Sequence, residues 1–213
     1  MKPEKLKLKT HTKLAHYANY AVDIEFEFPF GFGEIEGIHS RTDFDLMAHQ
    51  NLSGKKLEFV DTVTKERFVP YVIETSGGVS RGLMAFLCNA YDEEEPTENS
   101  TDKDEKRVVL RLHHNLAPVQ VAVFPLVNKE GMPEKAHSLY KDLQKNFKTQ
   151  YDISGAIGRR YRRQDEIGTP YCITIDGDTL SNGTITIRER DSMLQETINI
   201  DKAKEYLFNK FSD

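Results

Sequence analysis

No apolar run in the chain approaches the roughly 20 residues that a membrane-spanning helix needs, and the lysine-rich start, Met1 to Lys13, lacks the apolar stretch of a secretion signal. A cytosolic protein with no membrane role is the expectation. Cysteine is nearly missing as well: Cys88 and Cys172 stand alone, without CxxC spacing, and read as reduced core residues. Adjacent His113 and His114 have no partner at metal-ligand spacing, which argues against a histidine metal site. No internal repeat is visible. A cationic surplus is lacking too, since the net charge of -5 argues against a surface that grips DNA or RNA all over. Residues 1–107 hold 14 Lys and Arg against 20 Asp and Glu, whereas 108–213 hold 15 against 14. Any nucleic-acid contact is therefore expected to be local and in the second half.

What is present is enough for two domains, because 213 residues at 38% hydrophobic content can build two separate cores. Val22, Ile24, Phe26 and Phe28 alternate with Asp23, Glu25 and Glu27, the pattern of a strand with one buried face, and such strands belong to antiparallel sheets. Further strands are expected at Glu34 to Ile38, Leu57 to Val60 and Arg67 to Ile73. A short helix capped by Asp43 should close at Ser53 and Gly54, and a longer helix should cover 80–91. Residues Asp92 to Arg107 carry eight acids, three bases and no large apolar residue, so they read as a linker or mobile insertion.

Beyond it the pattern changes. Val119 to Val127 is a continuous apolar strand, and Met132, Ala136, Leu139, Leu143 and Phe147 follow at helical spacing. Strands at Tyr171 to Ile175, Thr184 to Arg188 and near Ile198, with a turn at Asp176 and Gly177 and a last helix opened by Asp201, complete an α/β pattern with a largely parallel or mixed sheet.

Two stretches carry chemistry. In Y-V-I-E-T-S-G-G-V-S-R-G-L-M-A-F-L, Tyr71 to Leu87, an apolar strand leads through Gly77 and Gly78 into a helix with Arg81 in its first turn. Helix N-termini attract anions, glycines admit a close ligand, and an arginine fork clamps phosphate. Glu74 and Ser76 precede the turn, and a carboxylate there calls for an ammonium group or a metal ion. The alternative is a buried strand-turn-helix with Arg81 as a surface residue. In G-R-R-Y-R-R-Q-D-E-I-G-T-P, Gly158 to Pro170, Arg159, Arg160, Arg162 and Arg163 bracket Tyr161. Arginine planes and an aromatic ring hold unstacked RNA bases; a solvated helix whose arginines pair with Asp165 and Glu166 is the competing reading. Glu34 and Glu36 are expected on one strand face, as a metal site, a cation clamp or an exposed sheet edge.

The blocks E-I-E-G-I-H-S-R-T-D-F-D-L, V-P-Y-V-I-E-T-S-G-G-V-S-R-G and G-R-R-Y-R-R-Q-D-E-I-G-T-P, in that order, resemble the C-terminal part of the dimeric type of glycyl-tRNA synthetase, and the resemblance spans essentially the whole chain. It implies an α/β protein whose first part is α+β: residues 1–91 as the end of a class II antiparallel catalytic sheet with motif 3, 92–116 as an acidic insertion, and 117–213 as an anticodon-binding domain with a mixed sheet. It also implies ATP as a substrate with Mg2+, no organic cofactor, glycine and tRNA(Gly) as partners, and a homodimeric, cytoplasmic parent enzyme. By carry-over, Glu34, Ile35, Gly78, Val79, Ser80 and Arg81 would contact ATP, with Arg81 at the γ-phosphate and Glu34 acting through magnesium. Glu74, Thr75, Ser76, Gly77 and Gly78 would line the glycine pocket, and Arg159, Arg160, Tyr161, Arg162 and Arg163 would meet the anticodon arm. Motifs 1 and 2 have no counterpart, so the chain by itself is expected to be inactive. The alternative is a non-catalytic RNA-binding or accessory protein on the same scaffold.

Overall fold

The computed structural model describes residues 1–95 and 106–212, which form two compact units, Met1–Asn89 and Ala90–Asp213. In the first, β1 (Leu6–Thr10), β2 (Tyr20–Phe28) and β3 (Gly31–Ser40) precede α1 (Phe44–Ser53), followed by the short β4 (Phe59–Val60) and β5 (Arg67–Phe68), then β6 (Ile73–Gly77) and α2 (Val79–Ala90). The main sheet has the order β1-β2-β3-β6, and every pair is antiparallel. Phe26, Phe28 and Ala85 form its buried core, with Leu6, Ile35 and Cys88 packed around them. The alternation of β2 thus turns its phenylalanines toward α2.

Several local expectations change. β1 was not anticipated, although Leu6 and Leu8 alternate with Lys7 and Lys9. The strand expected over Arg67 to Ile73 is broken: β5 ends at Phe68 and β6 starts at Ile73, with Pro70 between them unable to donate to a ladder. Asp43 makes no side-chain cap for α1. Glu34 and Glu36 do not share a face. A bulge sets Glu25 opposite Glu34 but Ile24 opposite Glu36, so Ile35 is the extra residue and the alternation flips.

The second unit begins with β7 (Tyr91–Glu94) and β8 (Arg107–Leu110), continues through β9 (Val121–Pro125), α3 (Met132–Leu143), β10 (Thr149–Tyr151), α4 (Ile157–Ile167), β11 (Tyr171–Ile175) and α5 (Gly177–Asn182), and ends with β12 (Thr184–Glu189), β13 (Gln195–Asn199) and α6 (Ala203–Lys210). Its sheet, β10-β9-β11-β12-β13, is parallel across β10, β9 and β11 and antiparallel from β11 to β13. An antiparallel sheet followed by a mixed α/β sheet is the expected organisation. All five residues of β9 and of β11 are buried, as central strands covered on both faces must be. Val121, Val123, Ile173 and Ile175 meet the core that includes Leu139, Leu143 and Leu207, while Ala122, Phe124 and Cys172 pack toward Ile157 and Tyr161 of α4. Asp176 opens a short helix through a capping box with Thr179, where a plain turn was expected. Asp201 sits in a 3-10 turn over Ile200–Lys202, ahead of α6.

The acidic segment expected as a linker is structured at both described ends. β7 and β8 pair from Tyr91↔Leu110 to Glu94↔Arg107, and Arg107 is buried. The remainder of the expected insertion, residues 96–105, lies outside the described residues. A close contact fixes the hairpin against the end of α4: Gly168 has φ +85°, and a Cβ there would stand 2.9 Å from the Leu110 carbonyl oxygen and 3.1 Å from Leu112 Cδ1. Gly168→Ala therefore combines left-handed strain with a backbone clash and is expected to destabilise this unit by ~2–3 kcal/mol. A thermal melt within a degree of the wild type would refute the contact.

Candidate functional site

One face of the first sheet is polar, and β1, β2, β3 and β6 each contribute to it. Opposite Glu34 lies Glu25, which is buried and bound by Lys7 at 3.1 Å and Lys9 at 3.0 Å. Hydrogen bonds from Lys9 and then Lys7 hold the Glu25 carboxyl below the usual carboxylate range. Asp23, also buried, hydrogen bonds His11 Nε2 at 2.7 Å. Gly37 lies between Asp23 on β2 and Ser76 on β6, and His39 lies opposite Glu74. A side chain at Gly37 would come within 3.7 Å of both Asp23 Oδ1 and Glu34 Oε1, so the face leaves room where two carboxylates converge. A cavity of about 190 Å³ beside it is lined by His11, Lys13, Tyr17 and His39 among others.

Alternation along β6 puts Glu74 and Ser76 on this polar side and Thr75 and Gly77 on the other. Glu74 is not a bare carboxylate: Arg41 Nη1 donates to its Oε2 at 2.5 Å, while Arg41 Nε and Nη2 hold both oxygens of Asp45 at 2.6 and 3.1 Å. Gly77 belongs to the strand rather than to a left-handed turn. An added Cβ would lie 3.0 Å from the Ile35 carbonyl oxygen, so close approach to the bulge is its physical requirement. Gly78 joins β6 to α2, whose first residues Val79, Ser80 and Arg81 are exposed. Arg81 Nη1 donates to the Glu34 backbone oxygen at 3.0 Å, bridging the helix start to β3. Glu34, Ile35 and the 74–81 segment are thus neighbours, with Ile35 turned to the core.

Among the described residues no three His, Cys, Asp or Glu side chains form a metal-binding group. Glu34 and Asp23 still supply hard oxygen donors of the kind Mg2+ takes when substrate phosphates provide its remaining ligands.

The arginine block resolves differently from the expectation. Arg160 and Tyr161 turn inward, whereas both readings of the block had all four arginines on the outer surface. Arg160 is 3% exposed and donates to the Pro125 oxygen at 2.5 Å and to the Gly155 oxygen at 2.8 and 3.2 Å. Tyr161 meets Phe124 edge-on at 5.5 Å and shares a 2.6 Å hydrogen bond with Thr174. Burial pushes its phenol above the ordinary value. Arg163 binds Asp152 at 2.6 Å and the Ser154 oxygen at 2.7 Å. Arg162 is half-buried with Nη1 unpartnered, and Arg159 is exposed. Asp165 turns inward to Arg107 and Arg188.

Sequence reasoning missed Asp23, Glu25, His11, Lys9, Arg41 and Asp45. The even spacing of Asp23 and Glu25 marked their shared face, but it reads equally as a face open to water. The i,i+4 spacing of Arg41 and Asp45 was the available sign of the clamp.

Comparison with known proteins adds to this geometry. Residues 120–210 match the anticodon binding domain family. The chain is 55% identical to the glycine–tRNA ligase of Chlorobaculum tepidum over 210 residues, covering 99% of this chain and 43% of that protein. It is 52% identical to the glycine–tRNA ligase of Borreliella afzelii, over 97% of this chain and 46% of the relative, and 51% identical to that of Caldanaerobacter subterraneus subsp. tengcongensis, over 99% and 44%. It spans less than half the length of these curated relatives. Similarity along the whole chain, together with the matched domain, makes this protein a homologue of part of these glycine–tRNA ligases, with residues 120–210 matching an anticodon-binding domain.

Proposed function

We propose that this chain is the C-terminal part of a glycine–tRNA ligase, the enzyme that joins glycine to tRNA(Gly) with ATP cleaved to AMP and pyrophosphate. The observation that carries the reading is the polar face shared by Glu74, Ser76 and Glu34, with Arg81 bound to the Glu34 backbone oxygen, in a chain half identical to such ligases. In this reading a glycine carboxylate oxygen attacks the α-phosphorus of ATP and pyrophosphate leaves. A hydroxyl of the terminal ribose of tRNA then attacks the glycyl carbonyl, and AMP leaves.

Glu74 and Ser76 would bind the glycine ammonium group, with Gly78 and the strand backbone at Thr75 and Gly77 closing the pocket. Glu34, the backbone of Ile35, Gly78, Val79, Ser80 and Arg81 would line ATP, and Arg81 would neutralise the γ-phosphate. Glu34 would hold magnesium, which supplies further neutralisation of phosphate charge. Positioning and charge compensation are the main contributions such a site makes to phosphoryl transfer. A pocket that fills on any side chain larger than hydrogen rejects competitors by overpacking. The anticodon-binding domain would meet tRNA(Gly) through Arg159 and the outer parts of Arg162 and Arg163. The parent enzyme would act in the cytoplasm as a homodimer. An accessory RNA-binding protein has no use for Glu74, Ser76 and Arg81 placed together, which disfavours that alternative.

The chain alone is expected to be inactive. It spans under half of its relatives, β6 is paired on one side only among the described residues, and Leu83, Met84, Phe86 and Leu87 of α2 are exposed. Glycine-dependent pyrophosphate exchange checks this: the 213-residue chain should show none. A hybrid in which it replaces the matched part of the Chlorobaculum tepidum ligase should be active, and Arg81→Ala in the hybrid should lower kcat/KM for ATP by ~100-fold. Exchange by the isolated chain would sink the prediction of inactivity, and a hybrid indifferent to Arg81→Ala would sink the role of that arginine.

A further inference from the structure

We propose that Arg41 is a positioning residue that holds the Glu74 carboxylate in place for the amino group of the substrate, with Asp45 and Tyr17 holding Arg41 in turn. The inference rests on the reading of Glu74 as the ammonium ligand. Glu74 lies on the outermost strand of the sheet with its side chain 31% exposed, where an unsupported carboxylate samples several rotamers. Arg41 removes that freedom by donating Nη1 to Oε2 at 2.5 Å. Among the described residues, nothing hydrogen bonds Glu74 Oε1, which remains open to a ligand.

Arg41 is itself fixed from three directions. Asp45 accepts both Nε and Nη2 in a two-pronged pair, the guanidinium carbon stands 4.0 Å from the Tyr17 ring centroid, and the Arg41 backbone N–H donates to the Val72 oxygen at 2.9 Å. Val72 N–H returns a bond to the Thr42 oxygen at 2.8 Å, tying this turn to the entry of the strand that carries Glu74. Thr42 has φ 56°, a conformation that a β-branched residue holds only where its surroundings over-determine it.

Charge makes the arrangement suited to a cation. A simple Arg41–Glu74 pair would be neutral and would attract an ammonium group weakly. With Asp45 added, two carboxylates face one guanidinium and the cluster keeps one negative charge. Hydrogen bonds from Arg41 hold the Asp45 carboxyl below the usual carboxylate range, so that charge persists through neutral pH. Lysine cannot reproduce the cluster, because one ammonium group lacks the fork that spans Asp45 and Glu74.

The hybrid ligase tests the proposal by pyrophosphate exchange. Arg41→Ala should raise KM for glycine at least 10-fold while KM for ATP stays within about 2-fold, and Arg41→Lys should recover only part of the loss. A purely structural role would instead lower activity at saturating glycine or lower the melting temperature, with no selective change in glycine KM. If Glu74→Gln raises the glycine KM and Arg41→Ala does not, the positioning role is overturned. If Glu74→Gln also has no effect, the ammonium-ligand reading fails first. Should the wild-type hybrid fail to turn over, crystal structures of the 213-residue chain and its Arg41→Ala variant decide: a Glu74 carboxylate in the same place in both overturns the proposal, and a displaced or disordered one sustains it.

Discussion

Replacing Asp165 with alanine is expected to destabilise the second unit by ~3–5 kcal/mol, the cost of leaving buried arginines without their counter-charge. The Asp165 side chain is 1% exposed and takes a hydrogen bond from Arg107 Nε at 2.8 Å and two from Arg188, at 2.9 and 3.1 Å. Arg107 would keep Glu94 at 2.8 Å and the Arg190 backbone oxygen. Among the described residues, Arg188 would be left with the Tyr161 ring, 4.9 Å away. A ring face attracts a guanidinium far more weakly than a carboxylate fork does. Because three separated elements meet at this carboxylate, β8, α4 and β12 should loosen together. The thermal midpoint should fall by ~10–20 °C, and salt up to 1 M should not reproduce the effect, since buried pairs are poorly screened. An Asp165→Ala protein that melts with the wild type would show that these charges are solvated. Glu205→Ala is the matching control: its pair with Lys202 is more than half exposed, so little change is expected.

The same network explains where the sequence stops being legible. Strands whose identity depends on their own side chains, such as β2, β9 and β11, are evident from alternation or unbroken apolar runs, and α3 from its helical spacing. The β7–β8 hairpin is not. The segment between Tyr91 and Val108 lacks large apolar residues, and the hairpin is ordered by arginines satisfied far along the chain: Arg107 by Asp165, and Arg111 by Asp92, Glu94 and Asp191. Composition counts like charges as repulsive and has no means of seeing partners 58 or 80 residues distant. In the candidate site, the Glu74–Ser76 and Gly77–Arg81 segments were visible because they are contiguous. The convergence of Asp23, Glu34 and His39 around Gly37 was hidden, since it depends on strand register and on a bulge that one extra residue creates.

Orientation of α4 supplies the last test, and it separates two arginines that the sequence treats alike. Arg160→Ala should cost ~3–4 kcal/mol of stability: three hydrogen bonds from a charged group are lost, and the Pro125 and Gly155 carbonyls lose their arginine donor in a buried setting. Arg159→Ala removes an exposed side chain and should move stability by less than about 0.5 kcal/mol. For RNA the order reverses. If the outer side of α4 meets tRNA(Gly), Arg159→Ala should weaken binding by ~1–3 kcal/mol where it reaches a base, or reduce the salt dependence by about one ion where it reaches a phosphate. Any loss with Arg160→Ala should instead track its unfolded fraction and shrink on cooling. Melting curves paired with tRNA binding at two salt concentrations and two temperatures distinguish these behaviours. A fully folded Arg160→Ala protein with a selective binding defect would mean that this guanidinium leaves its two carbonyls for the RNA, and that the inward packing of α4 is not the bound conformation.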